Sequence, residues 1–198
     1  MPNIGVTPGQ HSDLQVSAWV QRWAHLAKPG GRMLDIACGH GRHMAWFAAR
    51  GFEVTGVDRS DEAVHTASTY GKCLQADIEK NNWPLQAQGQ ACQYEVVVVT
   101  NYLWRPLFPT ILQSLAPGGL LLYETFAAGN ETLGKPRRAD FLLQPEELLR
   151  MCQGLVVVAY ENGFLPRPDR YVQRIAALNP AGCKDKTAPL ERHPLSLE

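Results

Sequence analysis

The sequence predicts an α/β fold, a doubly wound and mostly parallel seven-stranded sheet with an antiparallel edge strand. Short apolar runs of strand length alternate along the chain with segments of helical period, which implies parallel strands joined by right-handed crossovers. One run, YEVVVVT at residues 94–100, is rich in β-branched residues, as is typical of a central strand covered on both faces. The last two runs are joined by a turn-rich stretch, which favours antiparallel pairing at one edge.

The elements follow in order from local signals. Gly51 ends the second helix, Ser60 caps the third with Asp61 and Glu62 in its first turn, and Pro145 begins the last. A turn at 117–119 (PGG) precedes the fifth strand. We expect helices at about 12–27, 42–50, from 61 onward, 107–115 and 145–152, and strands at 32–37, 52–57, 73–76, 94–100, 120–126, 155–160 and 171–178.

Composition narrows the class of protein. The chain has 198 residues, 45% hydrophobic, with 19 Lys+Arg against 19 Asp+Glu. That size predicts a single domain over residues 1–178, with a loosely ordered tail at 179–198. Zero net charge disfavours a nucleic-acid partner. No apolar run approaches the ~20 residues of a membrane span, and the N-terminus lacks an export signal, so we expect a cytoplasmic protein with reduced cysteines.

The most informative stretch is residues 34–42, LDIACGHGR. A strand that runs into Gly39-x-Gly41 at the start of a helix lets a ligand approach bare backbone. Asp58 closes the next strand, where a carboxylate can accept hydrogen bonds from both hydroxyls of a ribose. A dinucleotide site and an S-adenosylmethionine site both satisfy this pattern.

The third glycine separates the two. A dinucleotide fingerprint places a third glycine where this chain has Met44, and this chain carries an acidic residue, Asp35, within the first strand. Both differences disfavour NAD.

At this point the chain resembles the class I S-adenosylmethionine-dependent methyltransferases, whose Rossmann-like fold agrees with the predicted sheet. The resemblance covers about residues 15–178, and within the class the sequence GR…RGFEVTGVD at 41–58 is similar to the small bacterial tellurite-resistance and thiopurine-type methyltransferases. The matching segments are 34–41 (LDIACGHG), 57–58 (VD), 75–78 (QADI), 94–99 (YEVVVV) and 115–120 (LAPGGL). Glu95 departs from the aspartate common in the family.

The resemblance implies that S-adenosylmethionine is the cofactor and assigns its contacts. The glycine turn and Asp35 would hold the methionine portion, Asp58 the ribose, and Asp77 the adenine amine, with Ile78 packed on the ring. The full set of expected cofactor residues is Asp35, Ala37, Cys38, Gly39, His40, Gly41, Asp58, Arg59, Asp77, Ile78, Asn101 and Tyr102. An aromatic ring near the cationic sulfur would be favourable, and Tyr102 and Trp19 are candidates.

Methyl transfer needs a general base only when the acceptor holds a proton at neutral pH, so no catalytic residue is required by the chemistry. Glu124 as a base, Arg105 as an anion clamp and Tyr102 remain candidates. The basic loop at 129–138 lies where such folds keep substrate contacts, and its Lys135, Arg137 and Arg138 would guide an anionic acceptor.

Three functions remain open. A methyltransferase for a small-molecule acceptor is favoured because the chain has no basic excess and little beyond the core fold. An RNA- or protein-modifying methyltransferase and a non-catalytic domain that binds the cofactor are the alternatives. The six histidines show no ligand spacing, so we expect no metal site. The acceptor and the oligomeric state stay undetermined.

Overall fold

A twisted seven-stranded sheet forms the centre of the molecule, with strand order β3-β2-β1-β6-β7-β9-β8. The computed structural model describes residues 15–180 and 193–195. The strands are β1 Arg32–Ile36, β2 Glu53–Asp58, β3 Lys72–Gln75, β6 Tyr94–Thr100, β7 Leu115–Phe126, β8 Val156–Leu165 and β9 Arg170–Leu178, and a separate hairpin pairs β4 Gln86–Ala87 with β5 Gln90–Ala91. The helices are α1 Ala18–Trp23, α2 Arg42–Ala48, α3 Asp61–Ala67, α4 Phe108–Gln113 and α5 Glu147–Met151.

The predicted fold class is confirmed. Strands β1, β2, β3, β6 and β7 pair in parallel, whereas β9 pairs antiparallel with both β7 and β8. Strand β9 lies one place in from the edge, and β8 forms the edge beyond it. Because β9 runs antiparallel to β7, its first residue, Arg170, lies at the end of the sheet where β6 and β7 finish.

The valine run of β6 is covered on both faces, as its composition predicts. Val97 and Val99 belong to a cluster with residues of α4 and α5, whereas Val96 and Val98 belong to a cluster with residues of α1 and α2. All four valines are fully buried. Alternation of side chains along a strand therefore divides the core into two layers, one on each face of the sheet.

The first helix begins later than predicted. Residues 15–17 are not helical, α1 begins at Ala18, and a 3₁₀ turn continues it to Leu26. The cause is Ser17, whose side chain accepts hydrogen bonds from the backbone N–H groups of Trp19 and Val20 and so caps the helix at this point. The earlier part of the predicted helix, residues 12–14, lies outside the described residues, as does most of the predicted tail.

The turn at 117–119 is a bulge within a longer strand. Strand β7 already begins at Leu115, opposite Tyr94, and its register with β6 shifts before Leu120 pairs with Val96. Gly118, with a φ of 76°, absorbs the shift.

Candidate active site

A cleft of about 420 Å³ opens at the carboxyl ends of the parallel strands. This is the edge where ligands bind in open α/β sheets. Its walls come from the ends of β1, β2, β3, β6 and β7 and from the segment between β7 and α5. The lining residues are Ala37, Asp58, Arg59, Ala76, Asp77, Ile78, Glu79, Asn101, Tyr102, Leu103, Thr125, Phe126, Pro136 and Phe141.

Asp58 connects the first two strand ends. Its Oδ2 accepts a hydrogen bond of 2.8 Å from the backbone N–H of Gly39, and its Oδ1 accepts one of 2.9 Å from Ser60. These bonds fix the carboxylate beside the glycine turn. Each carboxylate oxygen has two lone pairs, so capacity remains for hydroxyl donors from a ligand in the cleft.

Gly41 lets the glycine turn lie close to the neighbouring helix. Its φ of 79° is left-handed, and a Cβ at this position would lie 2.9 Å from the Cβ of Ala67 in α3. Any larger residue would therefore combine backbone strain with a clash, which explains why glycine is required here.

Asp35 lies behind the glycine turn and is 1% exposed. Its Oδ2 accepts no hydrogen bond from the described residues and lies 3.5 Å from Nδ1 of His43. The ring's other nitrogen accepts from the backbone N–H of Ser17 at 3.3 Å, so the hydrogen bonds place the proton on Nδ1. The N–H of His43 is therefore the polar neighbour of this buried carboxylate oxygen, and Asp35 lies behind the turn and outside the wall of the cleft.

The opposite end of the cleft is acidic and aromatic. A hydrogen bond from Lys80 holds the pKa of Asp77 below its ordinary value, so this carboxylate stays ionised and accepts hydrogen bonds. Burial, together with the charges of Glu79 and Asp77, raises the pKa of Tyr102. The Tyr102 hydroxyl is thus a protonated donor, and it has no acceptor among the described residues.

Glu124 does not line the cleft. It is buried on the α1 side of the sheet, where Oε1 accepts from the hydroxyl of Ser17 at 3.2 Å and Oε2 accepts from Arg174 at 3.2 Å. Arg170 lies 3.6 Å from Oε1. These contacts give Glu124 a structural role that joins three elements.

Arg105 also has structural partners in place of a ligand. Its guanidinium donates to both carboxylate oxygens of Glu147, at 2.5 and 3.0 Å, and to the carbonyl oxygens of Asp140 and Leu142. Arg105 therefore ties the segment between β7 and α5 to the start of α4.

The predicted cofactor residues divide into three groups. Ala37, Asp58, Arg59, Asp77, Ile78, Asn101 and Tyr102 line the cleft. Cys38, Gly39 and Gly41 form the turn behind it, and Asp35 lies within β1 behind that turn. His40 is exposed and lines a shallow surface depression with Trp46 and Tyr70. Trp19, the other aromatic candidate, is buried in the core and donates from Nε1 to the carbonyl oxygen of Ile175 at 3.1 Å.

Sequence reasoning missed part of the cleft wall. Ala76, Glu79 and Leu103 directly adjoin predicted positions, and Thr125 and Phe126 end a predicted strand, so the rule that strand ends line the site could have found them. Pro136 belongs to the loop at 129–138 that was expected to hold substrate contacts, whereas Phe141 lies beyond that loop and no local pattern indicates its place in the cleft.

Two features are absent from residues 15–180 and 193–195. No helix in these residues is long and apolar enough to cross a membrane. No three His, Cys, Asp or Glu side chains in them converge as a metal site requires. The absence of a metal stays a prediction for the whole chain.

The comparisons with known proteins agree with this geometry. The family model of the methyltransferase domain matches residues 10–155, which is more than half of the chain. The chain belongs to this family, and fold and site together define a class I S-adenosylmethionine-dependent methyltransferase with S-adenosylmethionine as its cofactor. The residues that line the cleft fit that cofactor, because they include a strand-end carboxylate beside a glycine turn, Asp58, and an ionised carboxylate at the opposite end, Asp77.

The particular relatives confirm the resemblance to the tellurite-resistance and thiopurine-type group. A thiopurine S-methyltransferase of Pseudomonas fluorescens is 29% identical over 170 residues, 82% of this chain and 73% of that protein. A ubiquinone biosynthesis O-methyltransferase of Azoarcus is 28% identical, over 71% of this chain and 70% of that protein. The solved structure of TehB from Haemophilus influenzae has a TM-score of 0.66 at 19% identity, covers 83% of this chain and 62% of its own, and shows a shared fold.

Other curated relatives are longer. The chain spans about half their length, 47% of one from Bacillus subtilis and 46% of one from Psychrobacter cryohalolentis.

Proposed function

We propose that this protein transfers the methyl group of S-adenosylmethionine to a small-molecule acceptor. Two relatives with good coverage bear names of enzymes that methylate small molecules, at sulfur in one case and at oxygen in the other. Because identity to both is below a third, these names support the size class of the acceptor and leave its structure open.

The observation that carries the proposal is the enclosure of the cleft opposite the cofactor residues. Pro136 and Phe141, from the segment between β7 and α5, lie in the same walls as Thr125 and Phe126. The Arg105 hydrogen bonds to Asp140, Leu142 and Glu147 hold that segment in place. A tethered, partly apolar wall suits a small acceptor better than a broad macromolecular surface.

The proposed contacts follow from the position of each group. Asp58 binds the two ribose hydroxyls, Asp77 accepts from the adenine amine, and Ile78 packs on the adenine ring. The Gly39–Gly41 backbone and Asp35 receive the methionine end. Arg59 and Asn101 line the space between these groups.

When bound, the cofactor supplies a methyl group activated by positive sulfur for an in-line transfer. The protein's part is alignment and exclusion of water, which together lower the barrier without a covalent step. Tyr102 stays protonated at neutral pH and so donates a hydrogen bond, and no histidine among the described residues lines the cleft. Glu79 is the lining carboxylate that the proposed cofactor contacts leave unused, and acceptors that ionise easily, such as thiols and activated phenols, need the least help from such a weak base.

An extract assay with a cofactor-binding control tests the proposal. The purified protein is incubated with S-adenosylmethionine carrying a labelled methyl group and with fractionated cell extract, beside Asp58→Ala as the control. Label in low-molecular-weight products, absent with the control, supports the proposal. Label in RNA or protein would favour a macromolecular acceptor, and no label in any fraction would favour a binding domain without transfer.

A further inference from the structure

A second cavity lies beside the cleft and is rich in positive charge. Its volume is about 250 Å³, and it shares Asn101 and Phe126 with the cleft wall. Cationic side chains reach it from three different elements: Arg42 from α2, Lys135 from the loop after β7, and Arg170 from β9. Asp169 is the carboxylate that lines it among the described residues.

We infer that this basic cavity binds a carboxylate carried by the methyl acceptor, which places the atom to be methylated toward Asn101 and Phe126. The inference rests on the proposed function and adds the chemical class of the acceptor. It also assigns Arg42, Lys135 and Arg170 as specificity residues outside the cofactor contacts.

Arg170 carries the strongest part of the argument. Its side chain is 27% exposed, so it is partly removed from water, and its Nε is buried without an acceptor among the described residues. Its ion-pair partner Glu124 is shared: one oxygen lies 3.6 Å from Arg170 while the other accepts from Arg174 at 3.2 Å. Arg174 also pairs with Glu161, so the charges of this cluster are balanced, but the Nε–H of Arg170 remains as a donor for an incoming anion.

The other two cations complete the arrangement. Arg42 donates to the hydroxyl of Thr100 at 3.3 Å, which holds its guanidinium at the end of β6, next to Asn101. Lys135 is exposed on the opposite wall. Arginine binds carboxylates through paired, charge-assisted hydrogen bonds, and a flexible lysine can close over the same group.

Asp169 repels an anionic ligand and so opposes binding. Among the described residues, three cations line the cavity beside this one carboxylate, so the net charge of the lining is positive. A cluster of charges exposed to solvent does not by itself imply a ligand. The basic loop also contains a cation of that kind, which can be compared with Lys135. Arg138 is in the same loop as Lys135 but does not line the cavity; it is 73% exposed and pairs with Asp140 at 2.6 Å. Position in the cavity, and not membership of the basic loop, therefore distinguishes the two.

Calorimetric titration of the protein saturated with S-adenosylhomocysteine tests the inference. The probes are two matched pairs, 3,4-dihydroxybenzoate against 3,4-dihydroxybenzamide and 4-mercaptobenzoate against 4-mercaptobenzamide, which differ only in the charge of one group. Each benzoate is expected to bind about tenfold more tightly than its amide, because only the carboxylate accepts charge-assisted hydrogen bonds from the cations of the cavity. This preference should diminish as the salt concentration rises.

Variants then locate the effect. Lys135→Gln and Arg170→Gln should each reduce the preference for the benzoate about threefold or more, while the Kd for S-adenosylhomocysteine stays unchanged. Arg138→Gln is the matched control and should behave as the wild type. Lys135→Gln alters an exposed loop position and so keeps the test valid if Arg170→Gln fails to fold.

The outcomes separate this inference from the proposed function. Equal affinity for acid and amide, no binding of either benzoate, or an Arg138→Gln effect equal to that of Lys135→Gln would overturn the inference while cofactor binding stands. Failure to bind S-adenosylhomocysteine itself would instead overturn the proposed function.

Discussion

The two sides of the cleft are built in different ways. The side that we propose for the cofactor comes from the ends of β1, β2, β3 and β6, where each functional group lies within or just after the last residues of a strand. The acceptor side combines the end of β7, the loop that follows it, and the start of β9. The first side is therefore specified by local sequence, whereas the second depends on contacts between distant segments.

Asp58→Ala should produce the largest effect, on the cofactor side. The change removes the acceptor for two ribose hydroxyls and also frees the backbone N–H groups of Gly39 and Ser60. We expect the Kd for S-adenosylmethionine to rise about 100-fold, since loss of charge-assisted hydrogen bonds costs ~3 kcal/mol. Calorimetry measures the Kd, and circular dichroism checks the fold.

Asp61→Ala is the control for this prediction. Asp61 is an exposed carboxylate in the first turn of α3 and does not line the cleft. An unchanged Kd in Asp58→Ala, or an equal change in both variants, would return Asp58 to the role of a strand-end charge.

Gly41→Ala should destabilise the protein through close packing of the glycine turn. The new Cβ would lie 2.9 Å from Ala67, in addition to the cost of a left-handed backbone. Gly51→Ala separates the two causes, because Gly51 has a similar φ of 82° but open space around its Cβ position. Urea denaturation should show a further loss of about 1–3 kcal/mol for Gly41→Ala over Gly51→Ala; equal losses would mean that α3 yields without cost.

The contrast between local sequence and contacts of distant segments also determines how much of the structure the sequence could predict. The valine run of β6, the carboxylate at the end of β2 and the glycine turn were all identified from neighbouring residues, and the structure places them on adjacent strands. The start of α1 was not identified correctly. Ser12 and Ser17 are equally good capping residues, and the spacing of apolar residues alone does not distinguish between them.

Long-range partners account for the rest. Arg105 was expected to clamp an anion, yet its partner Glu147 lies 42 residues further along the chain and no local pattern links the two. Glu124 lies close to the end of β7 and was therefore expected near the site. Its side chain instead faces the α1 side of the sheet, where arginines from β9 neutralise it. Strand alternation would have predicted the face, but not these partners.

Tyr102→Phe tests the cofactor side of the cleft, and we expect a smaller effect than for the preceding variants. The Tyr102 hydroxyl is buried and has no acceptor among the described residues, so its removal should stabilise the unliganded protein by up to about 1 kcal/mol. If the hydroxyl donates to the bound cofactor, the same variant should weaken binding of S-adenosylmethionine about fivefold.

Tyr160→Phe provides the matched case, since its hydroxyl is also buried without a hydrogen-bond partner among the described residues but lies on β8 and does not line the cleft. Thermal melts with and without cofactor compare the two variants. A loss of cofactor affinity in both, or in neither, would remove Tyr102 from the set of cofactor contacts.

The smallest expected effect concerns the tether of the acceptor wall and its dependence on pH. Burial raises the pKa of Glu147, but hydrogen bonds from Arg105 and from the backbone N–H of Gln144 outweigh it, so the pKa lies below its ordinary value.

A carboxyl whose pKa is lowered on folding stabilises the protein above its unfolded pKa, about 4.3, and loses that contribution as the pH falls through the folded value. Glu147→Gln should thus cost up to about 1 kcal/mol at pH 7, and its stability should converge with that of the wild type as the pH falls below the folded pKa of Glu147. Glu146→Gln is the control, because Glu146 is 72% exposed and lies 3.9 Å from Arg150. If the Glu147→Gln difference persisted unchanged below the folded pKa of Glu147, the tether would depend on the shape of the side chain and not on its charge, and the acceptor wall would keep its position in acid.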